Sequence, residues 1–282
     1  MNPLMDVSAL NYRMTSGQPT VLLDVRWVLG DPHGRAAYLK EHIPGAVYVD
    51  LPTQLAGPAD PGRGRHPLPQ PSDLQASARR WGVRNDDVVV AYDDNGNLAA
   101  ARVWWLLRNA GLDSVFLLDG GLAAWRRAGF AVESGDEQAC PGDVSLADGC
   151  MPVIDAGEAA GWSQAGILLD ARAGERYRGE VEPVDPRAGH VPGAVSAPTT
   201  GNLADDGRFL PAAELRRRFA GLGALPGSAT AVYCGSGVTA AHEIAALEIA
   251  GVSAALYPGS FSQWCGNPYN EVETGPGPQQ RA

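Results

Sequence analysis

The stretch Tyr233-Cys234-Gly235-Ser236-Gly237-Val238-Thr239-Ala240 sets one cysteine at the joint between an apolar strand and a helix. Upstream, Thr230-Ala231-Val232-Tyr233 has the character of a short buried strand. Downstream, residues 240–250 are rich in Ala, Leu, Ile and Glu, which predicts a helix. Gly235 and Gly237 allow positive φ in the turn between them, so successive backbone N–H groups can converge on one point at the positive end of the helix dipole. An anion is favoured there. Such a cradle favours a thiolate over a thiol, which makes Cys234 the expected nucleophile rather than an inert core cysteine. For Ser236 the plainer reading is a cap on the helix.

Outward from this loop, the chain repeats itself. Leu22-Leu23-Asp24-Val25-Arg26 returns as Leu168-Leu169-Asp170-Ala171-Arg172, and His42-Ile43-Pro44-Gly45-Ala46 as His190-Val191-Pro192-Gly193-Ala194. Tyr92-Asp93 returns as Tyr233-Cys234, and Leu118-Asp119-Gly120-Gly121 with Trp125 as Tyr257-Pro258-Gly259-Ser260 with Trp264. The order is kept and each return lies about 140 to 150 residues on, close to one domain length, which predicts a tandem duplication. At the cysteine position the first copy carries Asp93, followed by the acidic loop Asp94-Asn95-Gly96-Asn97. Only the second copy is expected to be reactive. Features repeated in the inert copy read as structural: His42 and His190 in their turns, Asp24 with Arg26, and Asp170 with Arg172. Trp104, Trp105, Trp125 and Trp264 read as core, Cys265 as packing, and Arg102 as the partner of a surface salt bridge.

A chain of 282 residues at 45% hydrophobic can hold two ordinary domains. Its net charge of -10, with no run of Lys or Arg, argues against nucleic acid or an anionic membrane as partner. Residues 1–20 mix Asp, Asn, Arg and Gln into their apolar positions and lack the core of a signal peptide, and no segment approaches a membrane span. A cytoplasmic protein is expected. The cysteines at 140, 150, 234 and 265 form no C-x-x-C pair and no zinc-ligand spacing, so free thiols and no metal are expected.

Strand and helix patterns alternate in each half, which predicts an α/β fold of two tandem domains, each a mostly parallel sheet with helices on both faces. Strands are expected at 21–25, 47–49, 88–92 and 115–118, then at 167–171, 194–196, 229–233 and 254–257; helices are expected at 98–110, 122–128 and 240–250. The predicted division is an inactive domain over 1–138, a linker over 139–152, a catalytic domain over 153–274 and a disordered tail over 275–282. Residues 57–71, dense in Pro and Gly and containing Arg63, Arg65 and His66, read as a long surface loop.

The Leu-Leu-Asp-x-Arg strand, the His-(Ile/Val)-Pro-Gly-Ala turn in both halves and the Cys-Gly-Ser-Gly-Val-Thr-Ala loop together resemble the two-domain rhodanese-type sulfurtransferases, over residues 21–264. The resemblance implies rhodanese-like domains, with the active loop at the interface between an inert N-terminal domain and a catalytic C-terminal one. It also implies an enzyme whose cysteine takes a sulfane sulfur from a small-molecule donor, holds it as a persulfide and passes it to cyanide or a thiol. The thiol could be a small molecule or a thioredoxin-like protein. The enzyme would be a monomer and use no organic cofactor. Members that prefer thiosulfate resemble Cys-Arg-Lys-Gly-Val-Thr, where two cations offset a dianion; Gly235 and Ser236 resemble instead the loop of mercaptopyruvate-type members. The implied donor is 3-mercaptopyruvate, with thiosulfate as the alternative. The resemblance places donor binding on Gly235, Gly237, Val238 and Thr239 of the loop, on Arg176 as the carboxylate clamp and on Arg187 as a second arginine. It implies catalytic roles for Cys234, for Ser236 and for His66, the last two in a Ser-His-Asp relay whose aspartate falls at Pro52, beside Asp50.

Two other classes compete. A cysteine phosphatase or arsenate reductase also uses a thiolate in an anion loop, but needs a guanidinium about six places after the cysteine, where this chain has Ala240. A non-catalytic sulfur carrier or regulatory module is the other, and retention of Cys234 with its whole loop weighs against it.

Overall fold

The computed structural model describes residues 2–277. In the first half the chain runs β1 (Leu4–Met5), α1 (Val7–Thr15), β2 (Thr20–Asp24), α2 (Gly34–Lys40), β3 (Val47–Tyr48), α3 (Leu51–Gln54), α4 (Pro71–Arg80), β4 (Val88–Tyr92), α5 (Ala100–Asn109), β5 (Val115–Leu118) and α6 (Gly121–Arg127). In the second it runs α7 (Ala156–Gly161), β6 (Ile167–Asp170), α8 (Gly174–Arg178), β7 (Val195–Ser196), α9 (Ala212–Gly221), β8 (Thr230–Tyr233), α10 (Thr239–Ala250), β9 (Ala255–Leu256) and α11 (Ser260–Gly266). The sheets are ordered β1-β5-β4-β2-β3 and β7-β6-β8-β9, and every pair is parallel. A parallel bridge from Val153 to Leu256 takes the place of β1 in the second sheet, so the duplication seen in sequence is repeated in topology.

Alternate residues of each strand face opposite ways, and this divides the core. Leu22, Val90 and Tyr92 join α1 and α6 in one outer cluster, while Leu168, Ala231 and Tyr233 join α7 and α11 in another. Their neighbours Leu23, Val89 and Ala91, and Leu169 and Val232, face inward to one shared cluster that also contains Trp104 and Trp105 of α5 and Ala241, Ile244 and Ala245 of α10. Strands covered on both faces explain the continuous apolar runs Val88-Val89-Val90-Ala91 and Thr230-Ala231-Val232. The two helices that follow the equivalent loops therefore lie together between the sheets, and each half buries the other.

The repeated motifs have one structural role in both halves. His42 and His190 turn Nδ1 to the carbonyls of Tyr38 and Tyr177 at 3.0 and 2.7 Å and stack on those tyrosine rings. The hydroxyls of Tyr92 and Tyr233 accept from the Ile43 and Val191 N–H groups, tying the strand before each loop to its His-x-Pro-Gly turn. Asp24 and Asp170 hold Arg26 and Arg172, which reach the carbonyls of Glu41 and Gly189.

Three expectations change. Residues 57–71 are not a free surface loop: at Gly64, with φ +94°, a Cβ would lie 2.6 Å from the Gly259 carbonyl oxygen, and the Arg65 N–H donates to Ser262 Oγ, so this segment crosses to the second half. The linker 139–152 has no regular structure but is laid along the first half, with Gly142, Val144, Ala147 and Cys150 N–H groups donating to the carbonyls of Arg79, Val83, Ala110 and Asn109. In the tail, Gly275 N–H donates to Arg178 O and Gly277 packs against Tyr177, so 275–277 are ordered; 278–282 lie outside the described residues. Beyond the helices expected at 98–110, 122–128 and 240–250, the chain forms others that the sequence pattern did not mark, some as short as α3 and α8. Among the described residues no helix is long and apolar enough to cross a membrane.

Candidate active site

Cys234 directly follows the last residue of β8 and is 2% exposed. Its Sγ accepts from the Gly237 N–H at 3.1 Å. The loop carbonyls point the other way, toward the start of α11, where the Phe261 and Ser262 N–H groups donate to the Cys234 and Gly235 carbonyls at 3.0 and 2.9 Å. Gly237 takes φ +77°, and a Cβ there would lie 2.6 Å from the Pro258 carbonyl oxygen, so the turn needs glycine on both counts. Val238 is the buried N-cap position of α10 and Thr239 its first residue.

The inert copy shows what such a loop holds. The Asp93 carboxylate accepts from the N–H groups of Asn95, Asn97, Ala99 and Ala100 at 2.8, 2.7, 2.9 and 3.1 Å. The first loop is thus a cradle of N–H groups filled by its own side chain. Cys234 stands in the equivalent place.

Two guanidiniums converge on this loop from opposite halves. Where a Cβ on Gly235 would stand, Arg65 Nη2 lies 3.0 Å away and Arg176 Nη1 3.5 Å away. Arg65 Nε is buried without a hydrogen-bond partner. Burial, and next the Arg176 charge, lower the Arg65 pKa from its ordinary value, while Cys234 acts in the opposite sense. Sequence reasoning gave Arg65 only a secondary place, because an arginine in an irregular Pro/Gly segment carries no periodicity; its position next to His66 was the one available signal.

His66 Nδ1 is 2.8 Å from Ser236 Oγ, and its ring stands edge-on to Trp27 at 5.4 Å. Burial, then the charges of Arg102 and Arg65, push the His66 pKa down to about 4, so the ring is neutral at neutral pH. Among the described residues no carboxylate bonds to it. Asp50 accepts from the Thr53 hydroxyl and lines a separate surface cavity with Tyr48, Gln54 and Arg80. The implied triad is therefore a Ser236–His66 pair.

Two arginines are placed otherwise than expected. Arg187 spends four of its five N–H groups on the carbonyls of Trp264, Cys265, Asn267 and Asn270 at 3.4, 2.9, 2.7 and 2.8 Å, which caps the end of α11. Arg102 makes no surface salt bridge. It is 0% exposed and donates to the carbonyls of Leu55, His66, Pro67 and Gly237, joining the histidine segment to the cysteine loop. The composition of one other group, His42 with Glu133 and Glu137, could suit a cation. The His42–Glu133 separation of 3.6 Å recurs between His190 and Glu273, so the pairing belongs to the repeated turn.

A model of the rhodanese-like domain matches residues 7–128 and 155–267. The SseB protein of Mycobacterium tuberculosis H37Rv, assigned by name to thiosulfate sulfurtransfer, is 45% identical over 96% of this chain and 97% of its own. A Pseudomonas aeruginosa protein assigned by name to 3-mercaptopyruvate sulfurtransfer is 48% identical over 90% of this chain and 92% of its own. The crystal structure of SseA from Escherichia coli, described as showing the rhodanese fold of the 3-mercaptopyruvate enzymes, superposes with a TM-score of 0.82 at 31% identity, covering 93% of this chain and 99% of that one.

Proposed function

The chain belongs to the rhodanese-like domain family and is a sulfurtransferase, and from that premise we propose that it moves a sulfane sulfur from 3-mercaptopyruvate through a persulfide on Cys234 to cyanide or a thiol. Cys234 Sγ attacks the donor sulfur. As the new S–S bond forms, the donor carbon–sulfur bond breaks and its electron pair passes to pyruvate enolate, which takes up a proton. Arg65 and Arg176 hold the donor carboxylate beside Gly235, and the Gly237 N–H stabilises charge on Sγ. Cyanide or a thiolate then attacks the outer sulfur and releases Cys234.

The observation that carries the choice of donor is the 2.8 Å contact between Ser236 Oγ and His66 Nδ1. An enolate must be protonated to leave as pyruvate, and this pair can move a proton at the loop; sulfite, the product from thiosulfate, leaves as a stable anion without such help. A second reading, thiosulfate as donor, has one observation in its favour: two guanidiniums at Gly235 stand where the Cys-Arg-Lys loop would carry its own cations. The test is thiocyanate formation from each donor with cyanide, for the intact protein and for Cys234→Ser. The expected result is a kcat/KM favouring mercaptopyruvate and loss of turnover in the folded variant. A preference for thiosulfate would reverse the choice of donor, and persisting activity in the variant would remove Cys234 from the mechanism.

A further inference from the structure

Asp185 lies in the segment between α8 and the second His-x-Pro-Gly turn, and its side chain is 2% exposed. One carboxylate oxygen accepts from Arg65 Nη1, and the other accepts from Arg176 Nη2 at 3.2 Å. The same carboxylate thus holds both guanidiniums at Gly235, one from each half. Glu182, 4% exposed, accepts from Arg176 Nη2 at 2.6 Å and from the Asp185 N–H at 3.0 Å, which fixes the acidic segment in place. Arg172 pairs with Asp170 at 2.6 Å and with Glu182 at 3.4 Å. Three guanidiniums, of Arg65, Arg172 and Arg176, thus face three carboxylates, of Asp170, Glu182 and Asp185, and this network carries no net charge although it is lined by arginines.

We propose that Asp185 is a specificity-determining residue that makes the site accept a monoanionic donor and reject a dianion. This rests on the reading of Cys234 as the sulfur-accepting nucleophile. A single carboxylate can share the remaining donors beside Gly235, Arg65 Nη2 and Arg176 Nη1, without displacing Asp185. A dianion brings two charges to a site whose cations are already matched, and so meets the Asp185 carboxylate without compensation. Removing the Asp185 charge leaves an excess cation on the pair, which favours the more highly charged donor.

The test compares the intact protein with Asp185→Asn and Asp185→Glu, in two assays. In the first, the ratio of kcat/KM for thiosulfate to that for 3-mercaptopyruvate is expected to rise about tenfold in Asp185→Asn, mainly through the thiosulfate KM, and to return toward the intact value in Asp185→Glu. The second uses no sulfur donor: Cys234 is alkylated with iodoacetate, an anion, and with neutral iodoacetamide. The iodoacetate-to-iodoacetamide rate ratio is expected to rise about fivefold or more in Asp185→Asn, as the excess cation draws the anionic reagent. A folded Asp185→Asn with both ratios unchanged overturns the proposal. So does an intact protein in which sulfate, a dianion, protects Cys234 from iodoacetamide as well as pyruvate, a monoanion, does at the same concentration, a result available even if the Asn variant does not fold. If neither donor turns over, the reading of the donor fails, while the alkylation ratio still decides the role of Asp185.

Discussion

At the scale of single residues, the site is built from groups whose charge states are set by burial. A buried neutral histidine is the clearest case. Because the folded-state pKa of His66 is held down to about 4 against an ordinary 6.5, protons bind the unfolded chain more readily between those values, so stability contributed by the neutral ring is complete above pH 6.5 and is lost as pH falls toward 4. The same shift fixes the pH profile: kcat/KM for mercaptopyruvate should show no histidine break near 6.5, and its acid limb should fall nearer 4. His66→Gln should lower kcat with mercaptopyruvate by about 100-fold and affect thiosulfate turnover less. A break near 6.5 that disappears in the variant would show that His66 titrates at its ordinary value and that burial does not hold it neutral. Cys234, Ser236 and His66 were legible in sequence because each sits in a short motif. Arg65 and Asp185 were not, since their meaning lies in one contact across the domain boundary, between residues 120 apart along the chain.

At the scale of elements, strand and turn chemistry was legible where burial on both faces forces unbroken apolar runs, as in β4 and β8. Boundaries failed where an end is set by a distant side chain. α11 is such a case: it begins behind Ser260, whose φ of +52° and hydroxyl bond to the Cys234 N–H depend on the loop, and it ends on the Arg187 guanidinium. No local pattern announces either. Arg187→Met should therefore act on stability, costing about 2 kcal/mol through the orphaned carbonyls. The mercaptopyruvate KM should remain within about twofold, as expected when no substrate contact is removed. Thermal unfolding followed by circular dichroism, with steady-state kinetics on the same preparation, separates the two roles; a raised KM at unchanged stability would return Arg187 to the donor site.

At the scale of the whole molecule, the duplication was legible but the way the copies face each other was not, because a repeat in sequence carries no information about the interface. That interface is what makes the site. The first half supplies His66 and Arg65, and its Arg102 is fully buried with four carbonyl partners and, among the described residues, no carboxylate. Burial lowers the Arg102 pKa to about 10, with Cys234 acting in the opposite sense. A buried cation without a carboxylate partner is costly, and the four carbonyl bonds offset part of that cost. With Asp93 in place of a reactive cysteine, the first half instead holds the second half's loop from the opposite side. Two expectations follow from one shared core and one shared cation. The intact protein should unfold in a single calorimetric transition. Arg102→Met should lower that transition by an amount corresponding to about 3 kcal/mol, because the His66 and Gly237 carbonyls lose their donor, and should slow both thiocyanate formation and iodoacetamide alkylation of Cys234 about tenfold or more. Two separate transitions in the intact protein would show that the halves fold independently of this contact. A variant with lowered stability but unchanged Cys234 reactivity would reduce Arg102 to a structural bridge.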